Sequence, residues 1–127
     1  MWLNLTGSGN ETAAHLKNNG RITIMFCAFN GKPLILRLYG KAKTYHHNDK
    51  EWKEYIDLFP EIAGARQLMD VQIEMVQTSC GMGIPIMDYK EQRTQLVSWA
   101  EKQGKDKLEL YWLEKNTTSI DGYPTGI

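Results

Sequence analysis

Arg21-Ile22-Thr23-Ile24-Met25-Phe26-Cys27-Ala28-Phe29-Asn30-Gly31-Lys32-Pro33-Leu34-Ile35-Leu36-Arg37-Leu38-Tyr39-Gly40-Lys41-Ala42-Lys43-Thr44-Tyr45 is the stretch on which the fold turns. Ile22, Ile24 and Phe26 alternate with Thr23, Met25 and Cys27, the period of two that sends successive side chains to opposite faces of a strand. A strand buried on both faces is expected. Asn30-Gly31 tolerates the positive φ of a tight turn, and Pro33 opens a second extended run, so the whole predicts a long antiparallel hairpin. In that run Leu34, Leu36 and Leu38 share one face. Ile35, Arg37, Tyr39, Lys41 and Lys43 share the other, which makes one side core and the other basic. Gly40 interrupts both patterns and marks a bulge.

Working outward, Trp2 to Leu5 reads as a strand, Thr6-Gly7-Ser8-Gly9 as a turn, and Asn10 to Lys17 as a short helix closed at Asn18-Asn19-Gly20. Beyond the hairpin, Asn48 caps a helix with Trp52, Tyr55, Ile56 and Phe59 on one face, stopped by Pro60. A short helical turn is expected over 63–67. Val71, Ile73 and Met75 alternate with Asp70, Gln72 and Glu74, predicting a strand over 69–77 that is wet on one side. A Gly-containing loop over 78–87, helices over 91–103 and 106–115 separated by Gly104, and an irregular tail complete the chain. The class expected is α+β, mainly antiparallel, one domain over 1–127 without repeat or linker.

The chain is long enough to bury a core without disulfides or a structural metal. Fifteen basic and fifteen acidic residues cancel, which argues against broad binding to nucleic acid or anionic membrane. Cys27 and Cys80 match no metal spacing and read as reduced thiols. No apolar run is long enough to span a bilayer, and Met1-Trp2-Leu3-Asn4 lacks the layout of a signal peptide, so a cytoplasmic protein is expected.

Thr6-Gly7-Ser8-Gly9-Asn10-Glu11-Thr12 is the first candidate site. A turn of small polar residues running into a helix offers backbone N–H groups and hydroxyls, from Ser8 and Thr12, to a phosphate. The competing reading is that Asn10 caps the helix and nothing more; the motif is neither a Walker loop nor a dinucleotide fingerprint, and Glu11 opposes a phosphate. Arg37, set in an apolar strand, needs open water or an anionic partner, either a ligand phosphate or a carboxylate such as Glu74. Thr78-Ser79-Cys80-Gly81-Met82-Gly83 has the glycine content that lets a flat ligand approach the backbone. No His or Asn stands in relation to Cys80 as a catalytic base, and His15, His46 and His47 form no metal pattern, so neither a catalytic residue nor a metal ligand is assigned. The Trp and Tyr residues of the later helices fall at helical spacing and read as core.

Trp2-Leu3-Asn4-Leu5-Thr6-Gly7-Ser8-Gly9-Asn10-Glu11-Thr12-Ala13-Ala14-His15-Leu16, Asn19 to Phe29, Leu36-Arg37-Leu38-Tyr39-Gly40, Val76-Gln77-Thr78-Ser79-Cys80-Gly81 and Glu114 to Gly122 together resemble the pyridoxamine 5'-phosphate oxidase-related flavoproteins. The resemblance covers essentially the whole chain. It implies an FMN-binding split β-barrel with peripheral helices, a homodimer with the cofactor site shared between subunits, and an oxidoreductase acting on a small-molecule substrate. It implies a flavin phosphate held by Ser8, Gly9, Asn10, Thr12 and Arg37, with Ser79, Cys80 and Gly81 bordering the ring. Two departures stand out. Glu11 and Thr12 replace the Arg and Lys that the vitamin-synthesising oxidases carry at this turn, and their substrate-binding C-terminal segment has no counterpart. The N-terminal helix and first strands of relatives also have none, so a truncated member is expected. Two other readings stay open: a dimeric remnant without cofactor, and a split barrel holding a deazaflavin or, less well served by the histidines here, a haem.

Overall fold

The computed structural model describes all 127 residues. Its elements run β1 (Trp2–Leu5), α1 (Glu11–Asn19), β2 (Arg21–Cys27), β3 (Leu34–His46), α2 (Lys50–Tyr55), β4 (Ala65–Cys80) and α3 (Gln95–Lys115), with a 3-10 turn at Ile56–Leu58 after α2. The strands form one antiparallel sheet in the order β1-β4-β3-β2, curled into a half-barrel as the α+β split-barrel expectation requires.

The hairpin forms as expected, with register from Arg21↔Lys41 to Cys27↔Ile35. Gly31 at its tip has φ 72°, and the Asn30 side-chain oxygen accepts its N–H at 2.7 Å. The bulge also falls where expected. Tyr39 pairs with Met75 but Gly40 pairs with Ile73, leaving Glu74 as the extra residue. A side chain on Gly40 would run into the Gln72 carbonyl, so the bulge is closed to any other residue. A second irregularity lies between β1 and β4. Asn4 pairs with Gln67 and Leu5 with Ala65, which leaves Arg66 as the extra residue and turns both Arg66 and Gln67 toward Asn4.

The core sits at one end of the sheet. Ala13 and Leu16 of α1 pack on Ala42 and Met69, with Trp2, Ile22 and Val71 around them. Ala100, Leu108 and Trp112 of α3 form a second cluster with Ala63, Trp99, Tyr111 and Ile127.

Several expectations are corrected. β2 is not buried on both faces: it lies at the sheet edge, and Thr23, Met25 and Phe26 are exposed. The helical turn expected over 63–67 is instead a turn at Ala63-Gly64 followed directly by β4, which runs on through Thr78, Ser79 and Cys80. One face of β4 is not simply wet: Arg66 to Met69 are buried whichever way they point, and Gln72 to Thr78 are exposed on both faces. The half of β4 beneath the helices is covered from both sides, and the far half is covered from neither. Asp49, not Asn48, precedes α2, and its carboxylate accepts the His46 N–H at 2.7 Å. α3 starts at Gln95 rather than Glu91, and Gly104, with φ 70° and ψ 168°, breaks it into the two helical segments expected. The tail carries a bridge, Thr118↔Pro124, and buries Asn116, Ser119 and Thr125. No helix is long and apolar enough to cross a membrane.

Candidate functional site

The β1–α1 turn runs from Thr6 to Asn10, with Ser8, Gly9 and Thr12 exposed and Asn10 only 3% exposed. Asn10 occupies the N-cap position of α1 but makes no side-chain cap. Its amide is drawn inward, where Gln67 Nε2 donates to Asn10 Oδ1 at 2.6 Å and Asn10 Nδ2 donates back to Gln67 Oε1 at 3.3 Å. The reading of Asn10 as a simple cap is therefore corrected. The first-turn N–H groups of α1 are left without a side-chain acceptor, at the end of the helix that carries the positive pole of its dipole. Glu11 leans the other way, accepting the Ile120 N–H at 3.2 and 3.0 Å through its two carboxylate oxygens.

Directly beneath this turn lies Arg66, 4% exposed. Arg66 Nη1 donates to Gly9 O at 3.0 Å and to Asn116 Oδ1 at 2.7 Å, and Nη2 donates to Asn4 Oδ1 at 2.9 Å. Asn116 Nδ2 in turn donates to Gly7 O at 3.1 Å, and Trp112 Nε1 donates to Thr6 Oγ1 at 2.8 Å. Every acceptor of the guanidinium is a neutral amide oxygen, and no carboxylate forms an ion pair with it. Burial without a counter-charge pushes Arg66 down to about 10. The turn thus rests on a buried, uncompensated cation, an arrangement suited to a phosphate or carboxylate on its outer side.

Arg37, expected at this turn, is elsewhere. It is half-buried opposite Gln77, ten residues along β4 from Gln67, so about 30 Å separates it from the turn at ~3.3 Å per residue. Its partner is neither a phosphate nor Glu74: Arg37 Nη1 donates to Ser79 Oγ at 2.8 Å. Ser79 and Cys80 end β4 beside it, with Cys80 exposed. Gly81 has a structural explanation, because a side chain there would stand 2.6 Å from the Leu34 backbone nitrogen. The expected site residues therefore form two groups: Ser8, Gly9, Asn10 and Thr12 at one end of the sheet, and Arg37, Ser79, Cys80 and Gly81 at the other. Arg66, absent from the expected set, stands out in the sequence only as a lone cation within Ala65-Arg66-Gln67-Leu68.

His15 and His47 are occupied locally. His47 stacks on Trp52 at 4.0 Å between ring centres, and its Nε2 lies 3.0 Å from Ala65 O. Burial lowers the pKa of both His46 and His47. Glu11, His15 and Asp121 bring ligand-type atoms within 4.8 Å of one another, but their bonds tie α1 to the tail. His15 Nε2 meets Asp121 Oδ2 at 3.0 Å, and the Ser119 hydroxyl on Asp121 holds that carboxyl below its usual range.

A half-barrel of antiparallel strands with a helix starting from a small-residue turn defines the split-barrel class. No family model matches the chain and no solved structure matches it. The pyridoxamine 5'-phosphate oxidase family protein ustO of Aspergillus flavus is 33% identical over 138 residues, covering 97% of this chain. The match spans 55% of that relative's length. The chain belongs to the pyridoxamine 5'-phosphate oxidase family.

Proposed function

We propose that this chain is an FMN-binding flavoprotein and an oxidoreductase on a small-molecule substrate, working as a homodimer that shares its cofactor sites. The observation that carries the reading is the uncapped start of α1 above the acid-free Arg66 guanidinium. The first-turn N–H groups and the Ser8 and Thr12 hydroxyls would hold the flavin phosphate, Gly9 would let it approach the backbone, and Asn10 would keep the turn open by staying with Gln67. Arg66 would supply attraction from beneath, against Glu11, which is held by the Ile120 amide. FMN, when bound, supplies hydride and electron transfer. Arg37, Ser79, Cys80 and Gly81 lie too far away to join the turn of their own chain, and in a shared site they would border the ring held by the partner. The exposed apolar side chains around them, Met25, Phe26, Leu34, Met75 and Val76, give that far half of the sheet a surface to bury.

Flavin fluorescence titration tests the reading with two ligands that differ by the phosphate. FMN is expected to bind at least about tenfold tighter than riboflavin, a difference of ~1.4 kcal/mol assigned to the turn. Thr12→Val should weaken FMN and leave riboflavin unchanged. Equal affinities, or no saturable FMN binding, would overturn it. The same apolar surface favours a second reading, a dimeric module without flavin, which predicts a dimer that FMN does not bind.

A further inference from the structure

Glu11 and His15 stand one turn apart on α1, so their side chains leave the same face of the helix. The tail brings Asp121 to that face, 106 residues along the chain from His15. One ligand-type atom of each residue lies within 4.8 Å of those of the other two. Around a divalent metal with bonds of about 2.1 Å, ligand atoms stand roughly 3 to 4 Å apart, so the set is close to that spacing. His15 Nε2 and Asp121 Oδ2, at 3.0 Å, already have it.

The ligand groups are also oriented from behind. The Ile120 N–H donates to both Glu11 oxygens, and the Ser119 hydroxyl donates to Asp121 Oδ1, which leaves Oδ2 turned toward His15. Asp121 sits in a closed turn, where the Gly122 N–H donates to Ser119 O at 3.0 Å and Thr118 bridges Pro124. The His15 ring meets Tyr123 edge-on, 6.2 Å between ring centres. Outer contacts of this kind fix the carboxylates and imidazoles of metal sites. These bonds join α1 to the tail but leave charge unbalanced: two carboxylates share one imidazole, and no lysine or arginine bridges either acid. His15 and Asp121 are half-exposed, so an ion can reach them from solvent and keep water on its other positions.

We propose that Glu11, His15 and Asp121 bind a divalent ion of the zinc type and so clip the tail to α1. An imidazole nitrogen beside two carboxylates suits Zn²⁺, whereas Mg²⁺ and Ca²⁺ take oxygen ligands, and Ca²⁺ takes six or more. An ion there also offsets Glu11, the acid that opposes a phosphate at the neighbouring turn. Metal binding itself does not rest on the flavin reading.

The test titrates Zn²⁺ into the tag-free, chelator-treated, flavin-free chain, with calorimetry for affinity and NMR of the histidine ring nitrogens for location. One site per chain with a Kd of about 10 μM or tighter is expected. The His15 signals should move and those of His46 and His47 should stay. A roughly hundredfold excess of Mg²⁺ should not displace the ion. His15→Gln keeps a polar side chain beside Asp121 and should weaken Zn²⁺ at least about tenfold with the circular dichroism spectrum unchanged; Asp121→Asn should do the same. The proposal is overturned if binding to the parent chain is weaker than about 10 μM, if the moving signals belong to His46 or His47, or if both variants bind as before.

Discussion

Arg66 shows what a single side chain can decide and why a sequence conceals it. An isolated arginine between apolar neighbours looks the same whether it points to water or into the interior. Its burial depends on the β1–β4 irregularity at Asn4, which no local pattern of β4 reveals. Asn10, by contrast, was legible as a helix start but not as a core residue, because its partner Gln67 is 57 residues away. Arg66→Lys keeps the charge and forfeits the planar fork to Gly9, Asn116 and Asn4. Chemical denaturation should show a loss of roughly 3 kcal/mol. His46 gives a prediction in pH. Burial is the main cause of its lowered pKa, with Lys17 and Arg66 adding to it and Asp49 and the Thr125 backbone opposing. Below its ordinary 6.5 the unfolded chain takes up a proton that the native ring resists, so stability falls as pH drops from 6.5 toward the lower native value. Urea midpoints should fall less steeply with acid in His46→Gln than in the parent chain, and identical slopes would refute the assignment.

At the scale of elements, the hairpin and its bulge were readable because their determinants are local: alternation, Asn30-Gly31 and Gly40. β4 was misjudged because its two halves live in different surroundings. The segment near Arg66 is sandwiched between β1, α1 and α3, and the segment beyond Gln72 has no layer on either face, so one alternation rule could not describe both. The break between the two segments of α3 is legible for the same reason, since Gly104 takes a φ of 70° that no helix interior has. Gly40→Ala drives a methyl group into the Gln72 carbonyl, and the bulge has no flexible side chain to yield. A loss of about 2 kcal/mol or more is expected by thermal or urea unfolding. Gly83→Ala, where nothing lies within 4 Å, should be nearly silent and serves as the control.

Over the whole molecule, the packed end holds the clusters around Leu16 and Trp112, and the other end leaves strand faces bare. The fold class came through from the sequence because family motifs run along the entire chain. The division of the site did not, since no pattern in one chain gives the distance between Ser8 and Arg37. In the proposed dimer that distance is bridged by a second copy. Phe26→Glu, at a 55% exposed position, should convert the dimer to monomer by sedimentation velocity. FMN affinity should fall with it, although residue 26 lies far from the turn. A monomeric parent chain, or a Phe26→Glu monomer that keeps full affinity, would count against a shared site.

The hydrogen bonds joining the two ends of the chain bear on how the protein is made. Trp112 and Thr6 are 106 residues apart, and so are Asn10 and Asn116. During synthesis the hairpin can close early, because its contacts are near in sequence. Arg66 emerges long before Asn116, and the guanidinium lacks that amide acceptor until residue 116 has left the ribosome. The packed end therefore closes only after residue 116 has emerged, later than the hairpin. A nascent chain stalled before residue 116 should present β4 to chaperones and proteases as an unfinished strand.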